Sequence, residues 1–282
     1  MRLTIFIAIL VASFPVCHAQ KFRFSPLKET VIQEREEHPP ASQQDRAARI
    51  KQFFTQAGCK RDELSEQRVE SAAGANVICR LPGKSKESII VGANYSQAAF
   101  DNWTGASLLP SLFQSLVSRR RYHTFIFIAF ADGKRDLAGS QSFAGQMSQA
   151  DVAQTEAMVN LDALGFSPTK ISSTASDKKL VESFITVMYA LKQMASQVDI
   201  SKGVHVDSEP FASLHIPQIT IHSLTQEAVA ELQVYGQDQL LPAPEWGVAP
   251  AEADFRSDHY YNSYHLISGY LAYLDETLKP RR

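Results

Sequence analysis

Three neighbouring segments decide the fold: SIIVGANYSQAAFDNWTGASLLPSLFQSL at 88–116, HTFIFIAFADGKRDLAGSQSF at 123–143 and AMVNLDALG at 157–165. The apolar runs Ile89–Ala93 and Thr124–Ala131 are short and rich in Ile and Phe, as buried parallel strands are. Between them Thr104-Gly105 opens an apolar-periodic segment, Ala106 to Val117, which reads as an amphipathic helix. A third apolar run, Met158–Leu161, ends in Asp162. Strand, helix, strand, short helix, strand is the βαβ pattern of an α/β sheet. Chemistry in such sheets gathers at the carboxyl ends of the strands, which here carry Asn94, Asp132 and Asp162.

The motifs at those ends come in a fixed order. They are Gly92-Ala93-Asn94-Tyr95-Ser96, Phe100-Asp101-Asn102-Trp103-Thr104-Gly105 and Gly133-Lys134-Arg135-Asp136-Leu137-Ala138-Gly139-Ser140. Asn160-Leu161-Asp162-Ala163-Leu164-Gly165 follows, then Val206-Asp207-Ser208-Glu209-Pro210-Phe211 ahead of Ile216-Pro217. Over residues 76–223 this frame resembles the two-zinc aminopeptidases of zinc metallopeptidase family 28. The resemblance implies a three-layer αβα sandwich around a mixed, mostly parallel central sheet.

The resemblance also implies where two zinc ions and a general-base glutamate would be expected. Zinc sites of this kind need His and carboxylate donors and an open position for water. On that alignment the first His ligand is replaced by Asn94, the bridging Asp by Phe100 and the second His by Ser208. The base position holds Gly133 and the adjacent ligand position holds Lys134, while Asp162 remains as a ligand and Asp101 as a neighbour. One carboxylate does not hold two zincs, and glycine has no side chain to act as a base. A secondary, single-metal grouping of Asp162 with His205 and Asp207 is also conceivable, because residues two apart on an extended chain face one side. A cleft lined by Asn94, Tyr95, Phe100, Asp101, Trp103, Lys134 and Ser208 would offer aromatic walls and one cation to a peptide terminus or carboxylate.

The start of the chain, Met1-Arg2, the apolar run Leu3–Val16 and Cys17-His18-Ala19, has the form of a secretory signal covering residues 1–19. It is too short to span a bilayer. The periplasm or extracellular space is the expected location. Residues 20–41 read as an extended polar segment, and 42–282 as one α/β domain with Ser42 capping its first helix. The net charge of −2 and the absence of a basic block argue against a nucleic-acid partner. Arg119-Arg120-Arg121 reads as a helix C-terminus. Cys59 and Cys79 form a disulfide candidate, a helix end against an edge strand, with two separate thiols as the other reading.

Further along, Lys170–Thr174 and Gln197–Ile200 read as strands, Asp177 as a helix start, and Ile216–His222 as a strand opened by proline. Within residues 224–254, Pro242, Pro244 and Pro250 with Trp246 read as a loop. Ser257-Asp258-His259 could be a displaced ligand pair, but Ser257 also stands where an N-cap belongs before a helix carrying Tyr260, Tyr264, Ile267, Leu271 and Leu274. Asn94-Tyr95-Ser96 and Asn102-Trp103-Thr104 are formal glycosylation sequons. The expectation is an exported non-catalytic homologue, without a cofactor, that binds a peptide, an amino-acid-like ligand or a protein partner. The alternative is an active zinc-dependent exopeptidase with an altered metal site.

Overall fold

This computed structural model describes residues 23–70, 72, 74–96, 101–131, 137–200, 205–235 and 254–278, with only the backbone of Asp101, Asn102 and Tyr235. The strands are β1 (Leu64–Arg68), β2 (Ala75–Leu81), β3 (Ser88–Asn94), β4 (Thr124–Phe130), β5 (Thr155–Asp162), β6 (Lys170–Ser176), β7 (Ser196–Val198) and β8 (Gln218–His222). They form one eight-stranded sheet in the order β1-β2-β4-β3-β5-β8-β6-β7. Its centre, β4-β3-β5-β8, is parallel. The β1-β2-β4 side and the β6–β8 pair are antiparallel, so the sheet is mixed, as expected.

Alternation along the central strands separates two cores. Ile89, Val91 and Ala93, with Phe125, Phe127, Val159, Leu161, Ile219 and Ile221, face one layer. That layer holds α2 (Gln43–Gln56), α3 (Asp101–Val117), α6 (Lys178–Leu191) and α9 (Ser257–Thr277). Ile90, Ile126, Ile128, Phe130 and Met158 face the other layer, which holds α4 (Ala138–Gly145), α5 (Gln149–Gln154) and α7 (Glu209–Ser213). A smaller apolar cluster joins Ala163, Phe166 and Leu224 to Ala228 and Val229 of α8 (Gln226–Tyr235).

Helix α3 begins a turn earlier than its apolar period suggests, because Gly105 is a packing residue within it and not its opener. A Cβ at Gly105 would stand 2.8 Å from the Leu161 carbonyl oxygen and 3.1 Å from the Ala93 Cβ. The helix therefore rides on the backbone of β5 and the side chains of β3. Next to it, the Thr104 hydroxyl accepts from the Leu164 N–H at 2.9 Å, and the Tyr260 hydroxyl donates to the Thr104 carbonyl at 2.7 Å. These contacts fix the chain where it leaves Asp162.

The N-terminal segment is not wholly extended. Residues Glu29–Glu36 form α1. Its polar, weakly patterned sequence hides a helix that tertiary contacts hold, as expected for so short a helix. Arg35 donates to Ser111 Oγ at 2.8 Å and Gln114 Oε1 at 2.6 Å on α3. Leu27 donates to the Tyr264 hydroxyl and Ser25 to the Ser115 carbonyl, so the segment straps α3 to α9. Ser42 caps α2 as expected, accepting from the Asp45 N–H.

In the 224–254 region, Gln226–Tyr235 is helical, and the expected loop with Pro242, Pro244, Trp246 and Pro250 lies outside the described residues. Helix α9 starts at Ser257 itself, with Arg256 in the cap position and no side-chain cap bond. His265 packs edge-on against Phe24 at 5.0 Å. Strand β7 starts one residue before its expected place, and α6 is capped by Asp177 through the Lys179 and Leu180 N–H groups. Arg121 donates to the Leu116, Val117 and Arg119 carbonyls at the end of α3, which gives the basic run a capping role.

Cys59 and Cys79 are bonded. Cys79 is not on an edge, since β1 covers that side of β2. The crosslink spans a sequence separation of 20. A loop of this size constrains the unfolded chain by about 3 kcal/mol. Reducing the bond, or the double substitution C59S/C79S, is expected to lower the free energy of unfolding in urea by that order. Gly105→Ala is expected to cost about 1–3 kcal/mol by overpacking against Leu161, read as a lower urea midpoint with an unchanged slope.

Candidate functional site

On the face that carries Ile90 and Met158, apolar residues give way to polar ones at the carboxyl ends of the strands. Strand β3 runs Ile90, Gly92, Asn94; β5 runs Met158, Asn160, Asp162; β8 ends Thr220, His222. Gly92 pairs with Asn160, Asn160 with Thr220 and Asp162 with His222. Gly92 is obligatory there, since a Cβ would stand 2.3 Å from the Phe130 ring and 2.8 Å from the Met158 methyl.

Asp207 lies beneath this row, fully buried. Ser140, at the start of α4, and the Asn94 side chain stand close enough to act on its carboxyl, while the Ser140 hydroxyl donates to the Leu137 carbonyl at 3.1 Å. Burial raises its pKa to about 7; Ser140 opposes the rise, the Asp162 charge adds to it, and Asn94 opposes it. Its Oδ1 has no partner among the described residues. Asn94 and Asp162 are half-buried above it.

The structure rearranges the expected site residues. Asp207 and His205 do not face one side, because the chain turns at 207–208 into α7. His205 points outward, its side chain 47% exposed, with Nδ1 3.2 Å from Glu209 Oε2. Ser208 is buried and its hydroxyl lies 3.0 Å from that of Thr220. Tyr95 and Trp103 are not cleft walls. Both are fully buried, with the Tyr95 hydroxyl donating to the Ala75 carbonyl at 2.6 Å and Trp103 Nε1 to the Glu36 carbonyl at 2.8 Å. Phe100, Asp132, Gly133 and Lys134, and the side chain of Asp101, lie outside the described residues.

The Asn94 side chain of the first sequon is turned inward at its oxygen: Oδ1 accepts from the Ser96 N–H at 3.3 Å. His222 was not singled out by sequence. It is buried and held neutral, its pKa pushed down to about 3 chiefly by burial and also by the Lys170 charge. Its Nδ1 accepts from the Leu224 N–H, so Nε2 carries the proton. Ser140, which sequence treats as part of a turn, and Arg46 of α2 also belong to the site's support. Arg46 stands four residues before Ile50 and eight before Phe54, on the apolar face of α2; a cation in that phase was the signal available.

The family model of peptidase family M28 matches residues 76–278, more than half of the chain. The chain belongs to peptidase family M28. The M28 sheet and its motif order account for the architecture described above, and solved structures agree at the level of fold. A zinc aminopeptidase from Bacillus subtilis is 18% identical with a TM-score of 0.57, the match covering 74% of this chain and 51% of that one. The chain thus spans about half the length of that enzyme. The LapA aminopeptidase of Legionella pneumophila is 14% identical with a TM-score of 0.68, covering 89% and 71%. A glutaminyl cyclase from an Acidobacteriales bacterium is 15% identical with a TM-score of 0.67, covering 89% and 97%. No curated protein sequence matches the chain.

The M28 kinship and its zinc aminopeptidase neighbours point to zinc, which requires His and carboxylate donors turned to one point. Asn94 offers a neutral amide whose oxygen is already taken by the Ser96 N–H, His205 faces away, and Asp207 is buried. Among the described residues no three His, Cys, Asp or Glu side chains come together as a metal-ligating group. These residues do not fit the metal pair.

The raised pKa of Asp207 has a thermodynamic sign. The folded protein keeps a proton there that the unfolded chain releases above about pH 4. Stability therefore falls as pH rises from about 4 to about 7, by up to about 4 kcal/mol at ~1.4 kcal/mol per unit. Asp207→Asn is expected to flatten this decline, measured by urea unfolding at several pH values across that window.

Proposed function

We propose that this M28 protein is an exported, non-catalytic homologue that binds peptides by their free amino terminus, received at the Asp162 carboxylate beside the Asn94 amide. The observation that carries the reading is the character of the strand-end site, in which Asp207 is buried in the neighbourhood of Asn94, Ser140 and Asp162 and only Asn94 and Asp162 stay partly exposed. Such a site keeps one partly accessible carboxylate and fixes a neutral amide next to it. A carboxylate with a nearby amide suits a primary ammonium and its adjoining carbonyl. The reading also draws on the resemblance, which sets Gly133 at the base position; loss of a general base removes roughly a hundred- to ten-thousand-fold in rate. Export is inferred from the apolar run Leu3–Val16 and the small residues after it. No helix among the described residues is long and apolar enough to cross a membrane.

The test joins two measurements on the purified protein. Elemental analysis is expected to find near-zero zinc, and a panel of aminoacyl amides is expected to show no turnover with or without added zinc. Calorimetry is expected to detect tetra-alanine, with N-acetyl-tetra-alanine and the Asp162→Asn variant each weaker by about tenfold or more, or ~1.4 kcal/mol. Two bound zincs with chelator-sensitive hydrolysis would overturn the reading and establish a working exopeptidase. Equal affinity for the acetylated peptide would rule out the ammonium as the recognised group.

A further inference from the structure

We propose that Arg46 is a positioning residue of the binding cleft, setting the orientation of the Asn94 amide through Ser96. Arg46 is 5% exposed. Its Nε donates to the Pro40 carbonyl at 2.8 Å, and Nη1 donates to the Ser96 carbonyl. The guanidinium lies over the Trp103 ring, 5.8 Å from its centroid. Trp103 is itself anchored to the Glu36 carbonyl at the end of α1. The N-terminal strap and α2 thus fix the cation from two sides.

Ser96, held by Arg46 through its carbonyl, acts on Asn94 through its N–H, which belongs to the neighbouring peptide group. Ser96 N–H donates to Asn94 Oδ1 at 3.3 Å. With Oδ1 turned to Ser96, the NH₂ group of Asn94 is left on the other side of the amide, in the neighbourhood of the Asp207 carboxyl. The line of contacts runs Arg46, Ser96, Asn94, with Asp207 and Ser140 in its neighbourhood. A planar guanidinium serves Pro40, Ser96 and Trp103 at once. An ammonium has a single nitrogen and no flat face, so lysine cannot reproduce the arrangement.

The orientation claim stands independently of ligand, whereas its consequence for affinity rests on the function proposed above. The test uses the Arg46→Lys and Arg46→Met variants, with Leu180→Ala on remote α6 as a control for lost stability. The Asn94 side-chain amide is identified in a ¹⁵N–¹H spectrum by its disappearance in Asn94→Asp. In Arg46→Lys that signal is expected to shift and lose exchange protection, and tetra-alanine affinity to fall about tenfold. Leu180→Ala, compared at a similar loss of Tm, is expected to leave both unchanged. Should Arg46→Met not fold, Arg46→Lys alone decides. An unshifted Asn94 amide, or an equal effect in Leu180→Ala, would overturn the proposal. If the unaltered protein binds no tetra-alanine, the function proposed above fails, and the amide signal still decides the role of Arg46.

Discussion

The closeness of α3 to the sheet is the constraint on which the rest depends. Gly105 lets the helix rest on the Leu161 carbonyl and on Ala93, leaving no room for even a methyl group between them. That approach puts the Thr104 hydroxyl on the Leu164 N–H and the Thr104 carbonyl under Tyr260. The loop after Asp162 and the C-terminal helix are consequently tied to the same turn of α3. The outer side of α3 carries the buried serines Ser107, Ser111 and Ser115, small enough for other elements to approach. Arg35 and the Tyr260 hydroxyl use two of them as hydrogen-bond partners.

The site grows out of the same sheet by a change of character along one face. Ile90, Ile128 and Met158 lie in an apolar cluster, and two to four residues further the positions become Asn94, Asn160 and Asp162. Polar side chains at that depth must find partners or stay neutral. Several do so, each differently. Ser208 and Thr220 satisfy one another, His222 is kept uncharged, and Asp207 is held near the point where its proton leaves at neutral pH. Peptidase family M28 supplies the frame, but the described side chains within it are bound chiefly to each other.

Much of this was legible in sequence. The runs Ile89–Ala93, Thr124–Ala131 and Met158–Asp162 identified the parallel centre because strands buried on both faces are continuously apolar. Asp177 and Ser42 announced their helices through cap chemistry, which is local. Helix α1 escaped because its short sequence is mostly polar and its order comes from Arg35 and Ile32 meeting other elements. The cleft walls escaped for a related reason. Aromatic type suggested Tyr95 and Trp103 as ligand-facing, yet their polar tips are bonded to Ala75 and Glu36, inside the protein.

What the sequence by itself determined was the α/β architecture, the family frame and the identity of the residues at its strand ends. Periodicity and motif order are properties of the chain and survive without coordinates. Only the tertiary structure decided which of those residues meet. The turn at 207–208 sends His205 to solvent and Asp207 to the interior, although the two are neighbours in sequence. Arg46 reaches the site from a helix fifty residues before Ser96. Hydrogen bonds depend on a few tenths of an ångström and on direction, and those are set by packing between distant elements.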